Sequence, residues 1–191
     1  MIFTLESEYS AVLEACVLVP MALCDLLLRL AEEPAMYRPV WNEQILAEMA
    51  RALKTKLHRT LEEIDYRRSK MKEAFPEAMI AVPSEMLKAV ECIPDKGDRH
   101  VLAAAIMAKA SVIVTQNTRH FPRECIDKFG VLCQTADDFL VQQYHLSPQL
   151  VRDKLDDQAA AISQTRRYVI TSLTKAAPQF CELVKADASG F

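Results

Sequence analysis

Two stretches confine the chain more tightly than anything else in it. Residues 94–106, Pro-Asp-Lys-Gly-Asp-Arg-His-Val-Leu-Ala-Ala-Ala-Ile, read as a turn feeding an alanine-rich buried helix. Residues 111–122, Ser-Val-Ile-Val-Thr-Gln-Asn-Thr-Arg-His-Phe-Pro, read as an apolar strand that ends on polar residues. An alanine-rich helix running into an apolar strand belongs to an open α/β sheet, where sites form beyond the carboxyl ends of the strands. Asp98 falls in the first turn of that helix and Asn117 just past the strand.

The remaining chain keeps the alternation. A strand is predicted over residues 9–18, with Ala11-Val12-Leu13 leading to Glu14. Pro20 opens a helix over 21–31, a short strand covers 37–41, and Asn42 caps a helix over 43–56. Thr60 caps a helix over 61–74, with Glu63 placed to complete a capping box. A short strand over 78–82 and a helical turn over 84–89 precede the Asp98 helix, which runs to residue 110. A strand over 111–115, a helix from Pro122 to near Gly130, a strand over 131–134 and a helix capped by Thr135 complete the pattern. The expected fold is α/β with a mostly parallel sheet in residues 1–145, followed by a helical C-terminal appendage in residues 146–191 that packs on the domain or on a partner. In that appendage Val169, Ile170 and Leu173 are candidates for an interface or for internal packing.

With only three glycines among 191 residues, neither a Gly-x-Gly-x-x-Gly fingerprint nor a Walker loop can be written. The six cysteines form no Cys-x-x-Cys pair and most lie among apolar neighbours, so buried free thiols in a reducing cytosol are expected. No charged leader with an apolar core opens the chain, and no apolar run approaches the roughly 18–20 residues of a membrane span, so a cytoplasmic protein without a membrane segment is expected. A net charge of −3 argues against a surface built throughout for nucleic acid. Locally, eight Lys or Arg residues between Arg51 and Lys72 face only three acids, either as a solvated helix face or as a rim for phosphates.

Glu14, Glu48, Asp98 and Asn117 sit where apolar segments end or where an apolar helix turns polar. Carboxylates buried together are costly unless a cation compensates them. Mg²⁺ and Mn²⁺ take oxygen ligands, and a carboxylate site with open positions polarises a phosphodiester and acidifies a bound water. Each residue also has a plainer role: Glu14 as an edge charge, Glu48 paired with Arg51 or Lys56, Asp98 as a helix cap, Asn117 as a turn former. His100 and His120 have no Cys or His partner at zinc-ligand spacing. Asp137 and Asp138 read as helix-dipole partners.

The ordered segments Val12-Leu13-Glu14-Ala15-Cys16-Val17-Leu18 with the Pro20 helix, residues 41–53 with Glu48, Ala74-Phe75-Pro76, residues 94–106, residues 113–122 and residues 135–140 resemble a PIN domain, a three-layer α/β/α fold. The nearest likeness is to the VapC-type ribonuclease toxins with an extra helical C-terminal segment. That resemblance implies a Mg²⁺- or Mn²⁺-dependent endoribonuclease, the toxin of a type II toxin–antitoxin pair. Glu14, Glu48, Asp98 and Asn117 would be its catalytic and metal-binding residues, with Asp95 assisting. Glu43 competes for the helix acid, and Glu48 is preferred for its spacing to Leu53. Arg51, Lys54 and Thr115 would face RNA. A cognate antitoxin and a homodimer are the implied partners. The family normally has Asp where this chain has Glu14, which implies an adjusted site, an attenuated one, or an engineered change that makes a toxic protein tolerable. The alternative function is a catalytically weak PIN-like binding module acting through protein partners.

Overall fold

The computed structural model describes residues 9–187; the outer ends of both expected segments, 1–8 and 188–191, lie outside them. Four short strands make one parallel sheet in the order β2-β1-β3-β4: β1 (Ser10–Leu13), β2 (Arg38–Val40), β3 (Val112–Val114) and β4 (Leu132–Gln134). Every residue of β1 and β3 is buried, as strands covered on both faces must be. The register is fixed by Val12, which lies between Val40 of β2 and Ile113 of β3. The chain leaves β1 toward β2 on one side and reaches β3 on the other, so the sheet's topological switch point lies between β1 and β3.

Helices cover the sheet. They are α1 (Ala15–Leu18), α2 (Met21–Ala31), α3 (Glu43–Leu57), α4 (Leu61–Ala74), α5 (Ser84–Ala89), α6 (Arg99–Met107), α7 (Arg123–Ile126) and α8 (Ala136–Leu146). The capping residues act as read: Asn42 Oδ1 accepts from Ile45 N at 2.8 Å, and Thr60 with Glu63 forms a complete capping box. Helix α6 packs on β1 and β3, and Ala103, Ala104 and Ala105 are fully buried, their small side chains admitting the helix close to the sheet. Gly130 closes the turn after α7 at φ 66°, a left-handed value that favours glycine.

Three expectations about elements are corrected. The first strand ends at Leu13, because Glu14 turns the chain into α1. Residues 78–82 are not a strand: a 3₁₀ turn, Pro76–Ala78, leads to a single bridge between Met79 and Trp41. The thiols are not all free, since Cys92 and Cys125 are disulfide-bonded with their Cα atoms 5.6 Å apart. That bond ties the turn before α6 to α7. Cys16, Cys24, Cys133 and Cys181 are free.

The C-terminal helices α9 (Pro148–Ala161), α10 (Arg166–Leu173) and α11 (Pro178–Ala186) pack on the sheet-bearing part. Helix α9 lies along α2, where Lys154 Nζ reaches the Glu32 and Glu33 carbonyls at 3.0 and 3.2 Å and Gln158 donates to the Ala22 carbonyl at 2.9 Å. Val169, Ile170 and Leu173 are buried within the chain, which settles them as core rather than interface. No helix among the described residues is long and apolar enough to cross a membrane.

Candidate active site

The site is built at the switch point. Glu14 is the first residue beyond β1, and its backbone N–H still bonds to the Val114 carbonyl at the end of β3, 3.1 Å away. Its side chain is held from two sides. Thr115 Oγ1 donates to Oε2 at 2.7 Å and the Cys16 thiol donates to the same oxygen at 2.5 Å, while Cys16 N approaches Oε1 at 3.4 Å. Burial, and then the Glu14 charge, push the Cys16 thiol up to about 12, so it stays protonated at neutral pH and acts as a donor, not as a nucleophile. Cys133, on β4, is pushed up to about 12 by the same two causes.

Asp98 stands at the N-cap position of α6, yet its side chain makes no capping bond. Its carboxylate is therefore available for other work. Asp98 Oδ2 is shut off from solvent and has no hydrogen-bond partner; His120 Nδ1 lies 2.8 Å away, close enough for an ion pair but not aligned as a hydrogen bond. The Asp98 carboxyl is raised above the ordinary range, first by burial, with His120 opposing and the Asp95 and Glu14 charges adding to the rise. Glu14 is the smallest of these contributions, and burial is the largest. Asp95 itself is engaged in its turn, accepting from Gly97 N at 2.8 Å.

Glu48 projects from α3 and is bonded through Oε1 to His100 Nε2 at 3.1 Å and to Gln44 at 3.2 Å. Burial acts to raise its carboxyl, but His100, Gln44 and Arg51 together bring it below the ordinary range. Glu43, the rival acid, is turned toward α4 and paired with Arg68 and with Lys72. Asn117 is exposed at the head of a 3₁₀ turn, Thr118–His120, and its backbone N–H donates to Thr115 Oγ1 at 2.9 Å.

The four expected residues are thus brought to one edge of the sheet, but not into one tight cluster. Among the described residues no three His, Cys, Asp or Glu side chains lie close enough together to hold a metal ion. Glu48 is tied to α6 two residues beyond Asp98, and Asn117 is tied to Glu14 through Thr115. The chemistry of the donor set, carboxylate and amide oxygens with a buried Asp98 Oδ2 that makes no hydrogen bond and meets His120 alone, suits Mg²⁺ or Mn²⁺, since Mg²⁺ commonly keeps several waters and is held by one or two carboxylates.

Thr115 is corrected as an RNA contact: it is fully buried and its hydroxyl joins Glu14 to the Asn117 backbone. The basic rim also contracts. Arg67 is taken by the Leu18 carbonyl, Arg68 and Lys72 by Glu43, Arg59 by Glu63 and Lys70 by Glu73, while Arg51, Lys54 and Lys56 are exposed on α3. Sequence reading passed over His120 and His100 because it weighed them only as zinc ligands; their pairing with acids 22 and 52 positions away leaves no local signal.

A PIN domain model matches residues 10–119, from the first strand through Asn117. The chain belongs to the PIN-domain family. A relative from Mycobacterium tuberculosis, named "Putative ribonuclease VapC50", is 34% identical over 86 residues, which is 44% of this chain and 51% of the relative. The chain thus spans about half the length of that curated relative. The matched segment of this PIN domain holds Glu14, Glu48, Asp98 and Asn117, and it also holds His100 and Thr115, which hydrogen-bond to Glu48 and Glu14.

Proposed function

We propose that this PIN domain is a divalent-metal-dependent endoribonuclease, the toxin of a type II toxin–antitoxin pair. The observation that carries the reading is the placing of two carboxylates beside the switch point: Glu14, held there by Thr115 and Cys16, and Asp98, whose side chain leaves the head of α6 uncapped and meets His120. Kinship with a protein named as a ribonuclease supports the substrate class. Glu14 and Asp98 would hold Mg²⁺ or Mn²⁺, with Glu48 and Asn117 at the margin of the same edge. Such an ion would supply Lewis acidity there, acidifying a water and offsetting the charge of the phosphate. Arg51 and Lys54 on α3 contact the sugar-phosphate backbone, which positions a strand without reading its bases. Single-stranded or looped RNA is the substrate that such an open edge admits.

A small antitoxin protein and a second copy of the chain are the proposed partners, in the cytoplasm. A cleft of about 470 Å³ between α2, α3 and α4, lined by Met21, Leu28, Leu53, Leu57, Ile64 and Met71, offers a protein partner an apolar seat. The proposal is tested by incubating the purified chain with total RNA and Mg²⁺ or Mn²⁺ and mapping the cut ends. Cleavage that EDTA stops and that Asp98→Asn lacks is the expected result. Metal-independent cleavage, or equal cleavage by the Asn variant, defeats it.

One observation favours a second reading. Glu14 Oε2 already accepts from both Thr115 and Cys16, which leaves it less free for a cation and agrees with a weak or silent site. In that case the molecule acts as a binding module. Calorimetry separates the two: Mn²⁺ binding lost in Asp98→Asn belongs to the nuclease, and a stable partner complex without Mn²⁺ binding belongs to the module.

A further inference from the structure

One buried histidine joins the helix that carries Glu48 to the helix that begins at Asp98. His100 is 3% exposed and sets Nε2 3.1 Å from Glu48 Oε1. Its Nδ1 faces the Asn42 amide, 3.1 Å from Nδ2 and 3.2 Å from Oδ1. Asn42 is equally buried, and its orientation is fixed twice: Oδ1 accepts from Ile45 N at 2.8 Å, and Nδ2 donates to the His100 carbonyl at 2.9 Å. Flipping the amide would set like against like at both contacts. An ionised carboxylate has no proton to give, so the hydrogen of the Nε2–Oε1 bond belongs to His100. Gln44 donates to that same oxygen, and among the described residues no protein group bonds Glu48 Oε2.

We infer that His100, clamped by Asn42, is a positioning residue that fixes Glu48 through Oε1 and so presents Oε2 to a divalent cation at the sheet edge. The inference rests on the reading of these acids as a metal site. A long carboxylate side chain that is already fixed loses less conformational freedom when it meets an ion. Hydrogen-bond partners behind metal ligands are typically worth about 10–100-fold in affinity. A ring buried merely to fill the core would have no such effect.

Two substitutions separate these roles. His100→Asn keeps an amide near Asn42 but is too short to reach Glu48, whereas His100→Gln places an amide N–H toward Glu48. Both remove the ring. Mn²⁺ affinity by calorimetry and thermal midpoints are measured for each. The expected result is Mn²⁺ binding weakened about tenfold or more in His100→Asn and restored to within a few-fold in His100→Gln, with both midpoints lowered alike. In RNA cleavage, His100→Asn should lower kcat at limiting Mn²⁺ and leave KM for RNA unchanged. If the two variants bind Mn²⁺ equally, the inference is overturned while the ribonuclease reading stands. If the unmodified chain binds Mn²⁺ but leaves RNA intact, the ribonuclease reading falls and the two affinities still decide the role of His100. If it binds no Mn²⁺, both fall. Should neither variant fold, nuclear magnetic resonance of the unmodified chain decides: the His100 Nε2–H signal should move on adding Mn²⁺ and on Glu48→Gln, and a signal unmoved by both overturns the inference.

Discussion

A hydroxyl and a thiol donate to the same oxygen of Glu14, and that convergence explains how a longer acid is accommodated beyond β1. The extra methylene lets the carboxylate fold back toward the start of α1, where Cys16 N meets Oε1. Glu14→Asp shortens the arm and should release it toward Asp98. Since a displacement near 1 Å costs on the order of a hundredfold in rate, the Asp variant is expected to bind Mn²⁺ more tightly and cleave RNA at least about tenfold faster. Equal rates in a side-by-side assay would remove this geometric account. Asp98→Asn should behave differently. Burial raises the Asp98 carboxyl in the folded chain, so the folded state holds its proton more tightly than the unfolded state. Stability therefore falls as pH rises from the ordinary 3.8 through that raised value, and the cost persists at neutral pH. The Asn variant should lose Mn²⁺ binding and this pH-dependent component while keeping a thermal midpoint no lower than the parent at pH 7. Scanning calorimetry across pH 3–7 checks the sign. The positions of Asp98 and Asn117 were legible because one heads an unmistakable apolar helix and the other lies just past an apolar strand. The tethering of Glu14 was not, since Thr115 lies 101 residues away in sequence.

Helix starts proved readable wherever the cap is local. Asn42, Thr60 and Thr135 each satisfy a backbone N–H three residues on. Helix α11 shows the opposite case. Its N-cap residue, Ala177, has no polar side chain, and the duty falls to Asp137 of α8, which accepts from Gln179 N at 3.0 Å and Phe180 N at 2.8 Å. Asp137 was read as a dipole partner for its own helix, because a cap supplied from another helix leaves no trace in spacing. Asp137→Ala should cost about 2 kcal/mol and lower the midpoint by roughly 4–8 °C. Asp138→Ala, at the exposed end of the same turn, should cost less; a reversed order in thermal melts would refute the assignment. The misread strand at 78–82 has the same cause. Its hydrophobic pattern was real, but only Met79 finds a bridging partner beside Trp41.

At the scale of the molecule, the helices after residue 146 complete the core. Val151, Leu155, Leu173 and Phe180 are fully or almost fully buried, and Lys154 occupies the carbonyls at the end of α2. A chain truncated after Leu146 should therefore expose the apolar sides of α2 and α8 and be recovered aggregated or bind hydrophobic dye, whereas a soluble, cooperatively melting truncation would show the expected division at 145/146 to be real. The paired cysteines have a wider consequence. The covalent loop from Cys92 to Cys125 encloses Asp98, His100, Thr115, Asn117 and His120 but leaves Glu14 and Glu48 outside. Of the four proposed site residues, Asp98 and Asn117 thus ride on a tethered arc, and Glu14 and Glu48 on untethered chain. Material prepared with and without reductant is chemically two proteins, and any assay of Mn²⁺ binding or RNA cleavage has to be made at a defined thiol state.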